Sequence, residues 1–131
     1  MATATTGSAS IPGSATTYIY RDTNTNASNS AAVGSTQTVV LVNVDNTLNT
    51  TEDVYFKIYD AAGPTIGTTE PDTIVRCRKG ERIELGYTGT GYVLGTALSF
   101  VATQEAGKPA EVNTSTNPSS NVVASVAVSQ A

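Results

Sequence analysis

Residues 53–87, DVYFKIYDAAGPTIGTTEPDTIVRCRKGERIELGY, decide the fold class, because apolar and polar side chains alternate through them and turn residues stand where strands should end. Val54, Phe56 and Ile58 fall on one face, with Tyr55, Lys57 and Tyr59 on the other, the period-2 pattern of a half-buried β-strand. Ala61-Ala62-Gly63-Pro64 ends that strand. Two further runs, residues 73–78 and 82–87, flank Lys79-Gly80-Glu81 and are expected to form a hairpin. If Val75, Cys77, Ile83 and Leu85 all face inward, odd positions oppose odd positions and the loop must hold three residues. Loop 79–81 sets Arg76 opposite Glu84, whereas loop 78–80 puts Gly80 at the left-handed third position but sets Arg76 opposite Arg82. Each choice is worth roughly 1 kcal/mol, so both registers stay open, and both bury the same face.

The rest of the chain agrees with an all-β reading. Its 131 residues make one domain by size. Charged residues are only 14% of the chain and glycines number 11, alongside much Thr, Ser, Asn and Val, a composition that favours strands and turns over helices. Working outward, residues 18–21 are a short strand candidate, followed by a polar loop over 22–34. Residues 35–44 form the next strand, in which the continuous run Val39-Val40-Leu41-Val42 predicts burial on both faces, as in a central strand. Residues 45–52, DNTLNTTE, are a polar turn.

Beyond Tyr87, residues 92–104 place Leu94, Leu98, Phe100 and Ala102 on one face, with Gly95 marking a bend or bulge and a short helix over 93–98 as the alternative. A long polar connection over 105–121 leads to a terminal strand at 121–129, alternating Val122, Ala124, Val126 and Val128 against Val123, Ser125 and Ala127. That strand closes the domain's own sheet or pairs with another subunit. Residues 1–17 are small and hydroxylated, with Ile11 their one large aliphatic anchor, and cannot bury enough surface to order themselves. The expected organisation is an extended arm at 1–17 and a single antiparallel β-sandwich or jelly-roll-like domain at 18–131.

Composition narrows the chemistry. Seven Lys and Arg against 11 Asp and Glu give a net charge of −4, which argues against nucleic acid as a partner. The single cysteine, Cys77, allows no intrachain disulfide, and with no histidine neither a Ser-His or Cys-His pair nor a thiolate-rich zinc site exists. Asp53, Asp60, Glu70, Asp72 and Glu84 are the carboxylates available for a glycosidase-type pair, but each lies at a strand end, in a turn or on an exposed face. Asp22-Thr-Asn24-Thr-Asn26 looks like the start of a calcium loop, yet Ala27 replaces the required glycine and Val33 the twelfth-position acid, so Asx turns are expected. Residues 86–91, GYTGTG, lack the ending of a phosphate loop and read as a turn. The expectation is a protein without enzymatic activity, cofactor or metal.

No export signal or bilayer-length apolar run is visible, so synthesis in a cytoplasm is expected and no membrane is a partner. The sequons at Asn26, Asn49 and Asn113 carry no weight without a secretory route. Arg76, Arg78, Lys79 and Arg82 hold four of the seven basic residues. Either they are a solvated face near Glu81 and Glu84, or they dock on an acidic protein surface. With Ile11 and Tyr18 they are the candidate protein-contact residues.

Residues 54–85 also resemble the "fKlYd, pt-Gt-P, strand, aG, strand" pattern of small tailed-bacteriophage virion proteins. The likeness is good over residues 53–85, looser over 92–103, and hardly touches residues 1–50. It implies a capsid cement (decoration) protein of β-sandwich or jelly-roll form, commonly trimeric, on the outer surface of a phage head, with the major capsid protein and copies of itself as partners. It brings no catalytic or ligand-binding residues. The alternative in the same particle is a tail, baseplate or fibre component, with host glycans bound through aromatic loops as one such role.

Overall fold

A computed structural model describes residues 4–10, 16–27, 36–89, 91–106 and 116–129; for 4–10, 16 and 17 it describes the backbone alone. Among the described residues nine strands follow in chain order: β1 (Ala4–Ser10), β2 (Thr16–Asp22), β3 (Gln37–Asp45), β4 (Val54–Tyr59), β5 (Thr73–Cys77), β6 (Arg82–Gly86), β7 (Tyr92–Leu94), β8 (Ser99–Thr103) and β9 (Val123–Ser129). No helix occurs among the described residues, so the alternative over 93–98 is not adopted.

All pairings are antiparallel and form two sheets. The larger runs β1-β2-β9-β3-β6, with β7 also on β3, and the smaller runs β5-β4-β8. The inner faces meet in one core. Val54, Phe56, Ile58, Cys77, Phe100 and Ala102 from the small sheet meet Val39, Val42, Val44, Leu94, Ala124, Val126 and Val128 from the large one, all fully buried. Phe56 and Phe100 pack with ring centroids 5.5 Å apart. Burying a side chain of this size contributes about 1.5–3 kcal/mol, so this layer dominates stability. The β-sandwich expected from the alternation is what forms.

The expected hairpin over residues 73–87 is not formed. β5 pairs with β4 and β6 pairs with β3, so the turn between them carries the chain from one sheet to the other. Val75, Cys77, Ile83 and Leu85 do face the core, but from opposite layers. Parity fixes which face is inward; it does not fix the partner strand. Residues 92–104 behave the same way: they divide at Gly95 and Thr96 into β7 of the large sheet and β8 of the small one.

The Val39–Val42 run has a different explanation from burial on both faces. A bulge between Val39 and Leu41 shifts the register against β9, so that Val39 and Val42 both point inward at opposite parity. Leu41 is left on the outer face, 36% exposed. The double-sided burial occurs instead in the small sheet, where Lys57, Tyr59, Ser99, Val101 and Thr103 are all buried on its outer face. Tyr59 is thus covered within the chain. Residues 4–10 also find their partner in the chain itself, as an edge strand with seven registered pairs to β2. Backbone hydrogen bonding needs no large side chains, so a Thr/Ser/Ala run can form a strand once a template edge exists.

The terminal strand closes the chain's own sheet. β9 lies between β2 and β3, with Val122, Ala124, Val126 and Val128 buried. Within GYTGTG, Gly91 N donates to Thr88 O at 3.3 Å, as a turn requires, and Gly91 passes close to β3. Gly91, at φ 86°, would set a Cβ 2.8 Å from the Val39 carbonyl oxygen and from Thr38 Cγ2, so only glycine fits there.

Asp60 secures the second crossover. Its carboxylate accepts backbone N–H groups from Gly95 at 3.0 Å, Thr96 at 2.7 Å and Ala97 at 3.1 Å. The Thr96 N–H above all, with Ala97 and Gly95, holds the carboxyl below its ordinary value of 3.8. A depressed folded-state pKa gives stability that is present above the unfolded value and lost as pH falls through the folded one. The urea midpoint should therefore drop below about pH 4, and Asp60→Asn should reduce that drop while lowering stability at pH 7. An acid limb identical in Asp60→Asn and the parent would refute the assignment.

Candidate protein-contact surface

The sheet-to-sheet turn presents Arg78 and Lys79, and its backbone is almost completely bonded. Glu81 N donates to Arg78 O at 3.1 Å around Gly80, which adopts φ 70° as the third position of the turn requires. Lys79 N donates to Asp53 Oδ1 at 2.9 Å and Gly80 N to Asn49 O at 2.7 Å. From below, Asn46 offers its backbone N to Glu81 O at 2.9 Å. Its Nδ2 reaches the carbonyls of Glu52, Cys77 and Arg78 at 3.2, 3.3 and 3.2 Å. Asn49 completes the brace: its Nδ2 donates to Asn46 Oδ1 at 2.8 Å and to Ser120 O at 3.1 Å, and its Oδ1 accepts Ser120 N at 2.7 Å.

Asn46 and Asn49 are 0% and 2% exposed, so the apparently solvated stretch DNTLNTTE contains the buried polar centre of this end of the sandwich. The sequon at Asn49 is accordingly inaccessible, and Asn26 is half-buried; Asn113 lies outside the described residues. Cys77 sits under the same turn with its Sγ 3.4 Å from Glu81 O, and burial pushes its thiol pKa up, which fits a small apolar residue rather than a reactive one.

Arg76 pairs with Asp53, Nη2 at 2.5 Å and Nε at 2.9 Å to the same oxygen, and not with Glu84 or Arg82. The Lys79 N–H, then the Arg76 guanidinium, hold the Asp53 carboxyl below its usual range. Thr51, Asp53, Arg76, Arg78, Lys79 and Glu81 line a shallow depression of about 470 Å³. Since Asp53 already engages Arg76 and the turn, the exposed cations Arg78 and Lys79 give this tip its positive character.

The remaining candidates lie elsewhere. Arg82 is on β6, opposite Asp45 on the outer face of the large sheet. Tyr18 is half-buried and packs against the core. Ile11 lies outside the described residues. Three of the four basic residues therefore converge, and the fourth belongs to another surface.

Comparison with known proteins finds nothing: no family model, curated protein or solved structure matches this chain.

Three of the five carboxylates weighed for catalysis, Asp53, Asp60 and Asp72, accept backbone N–H groups. Asp72 Oδ2 accepts Asp60 N at 2.7 Å, beside the Asp60 and Asp53 bonds above. The Asx turn expected at Asp22 is present, with Asn24 N donating to Oδ1 at 2.9 Å. Asp22 Oδ2 is buried with no hydrogen-bond partner among the described residues. No group of three or more His, Cys, Asp or Glu that could hold a metal ion occurs among the described residues.

Proposed function

We propose that this protein is a non-enzymatic virion component, a cement protein that binds the outer surface of a phage head and stabilises it, with the turn Arg78-Lys79 as a contact to acidic groups of the major capsid protein. The observation that carries the reading is the braced turn: every N–H from Lys79 to Glu81 is satisfied, yet the two cationic side chains are exposed. Such preorganisation lowers the ordering cost of docking. Also in its favour are the likeness of residues 53–85 to phage virion proteins and the backbone bonds that occupy Asp53, Asp60 and Asp72. The proposed site of assembly is the capsid surface, after synthesis in the bacterial cytoplasm.

The test is binding to heads stripped of the protein. Replacing both Arg78 and Lys79 by Glu should leave the melting temperature within about 2 °C, since exposed charges contribute little to stability, but weaken binding at least about tenfold at low salt and flatten its dependence on salt. Unchanged binding by a folded double variant would remove the turn from the contact. Copy number separates the tail alternative, for which hundreds of copies per particle would be fatal.

A further inference from the structure

The outer face of the six-stranded sheet has a shape and charge pattern of its own. Because register is known across four strands, its side chains form a grid. One row reads Ile19, Ala127, Leu41, Gly86 across β2, β9, β3 and β6, and the next reads Arg21, Ser125, Asn43, Glu84. Small residues on β9 make a trough between taller walls. Ile19, Arg21, Leu41, Asn43, Ser125 and Ala127 line this depression of about 310 Å³. Leu41 stands 36% exposed beside it, and Arg21 and Glu84 are exposed at opposite margins of the same row.

We propose that this face is covered by a second copy of the chain, related by a two-fold axis that runs along the strands between β9 and β3. That operation sets β9 against the partner's β3 and β2 against the partner's β6. Leu41 of each copy then enters the other's trough over Ala127, Ile19 lies over Gly86, and Arg21 meets Glu84, each contact made twice. A single axis matches large residues to small and positive to negative, which is what an isologous interface requires. Arg21 and Glu84 lie about 7 Å to either side of the axis, within reach of long side chains in spite of sheet twist.

A two-fold contact closes at two copies, in place of the three that the likeness to cement proteins implies. The footprint is roughly 20 Å by 20 Å, about 400 Å² on each copy, half that of a standard interface, so the pairing should be concentration-dependent. The inference goes beyond the capsid-surface reading and stands apart from it, since mass in solution and binding to stripped heads are separate measurements.

Sedimentation of the full chain from roughly 10 µM to 1 mM should show the mass rise from 13.4 kDa towards twice that value. Leu41→Glu should abolish the rise with the fold intact, as judged by circular dichroism. Glu84→Arg should weaken pairing about tenfold or more, and adding Arg21→Glu to it should restore pairing. A constant 13.4 kDa, a trimer, a dimer insensitive to Leu41→Glu, or a charge swap that fails to restore pairing would each overturn the proposal.

Discussion

Asn46→Asp should be among the most damaging single substitutions in this chain, costing about 4 kcal/mol, against about 3 kcal/mol for Asn46→Ala. The side-chain amide, itself without solvent exposure, serves the buried carbonyl of Cys77 and the part-buried carbonyls of Glu52 and Arg78, and its oxygen accepts from Asn49. Alanine leaves those carbonyls unpartnered, at about 1–3 kcal/mol for each group that water cannot reach. Aspartate keeps the shape but turns a carboxylate oxygen towards carbonyl oxygens and adds a buried charge, so the isosteric change is the worse one. For a domain of this size the melting temperature should fall by roughly 10 °C or more. Urea unfolding of the two variants checks the order, and an Asp variant within about 1 kcal/mol of the parent would show that the amide is not what holds the turn.

The same pair of asparagines marks where the sequence stops being readable. Alternation reveals the strands and their inner faces, because side chains on a pleated backbone point alternately whatever the neighbours are. Hence Val54, Phe56, Ile58, Leu94, Phe100, Val126 and Val128 are recognisable as core. Sheet membership is not local in this sense. A hairpin and a crossover impose the same parity on Cys77 and Ile83, and the crossover turn is held by contacts distant in sequence, such as Gly80 N on the carbonyl of Asn49, thirty-one positions earlier. Asn46 and Asn49 look like ordinary turn residues because asparagine serves turns and buried braces alike. The candidate contact surface was legible to the same depth: the adjacency of Arg78 and Lys79 is local, whereas the separation of Arg82 and the pairing of Arg76 with Asp53 follow from sheet membership.

Ending the chain at Asn121 is expected to abolish folding altogether, a larger effect than any single substitution above. β9 is last in sequence but interior in space, with six registered pairs to β2 on one side and seven to β3 on the other. Without it, β1 and β2 lose their ladder to the rest of the sheet, and Val122, Ala124, Val126 and Val128 leave the core. Three buried valines alone contribute about 4–9 kcal/mol, comparable with the roughly 5–15 kcal/mol by which whole domains are stable. The exposed edges of β2 and β3 would then be open to pairing with other chains, so the truncated protein should also aggregate. Because the gap has the dimensions and hydrogen-bonding pattern of one strand, a peptide spanning residues 121–131 added during refolding should restore the native circular dichroism spectrum, as strand addition does at an open sheet. Amide dispersion typical of a folded β-domain in the truncated chain alone would contradict the central place given to β9. It would mean that β3, β6 and the small sheet form a self-sufficient core.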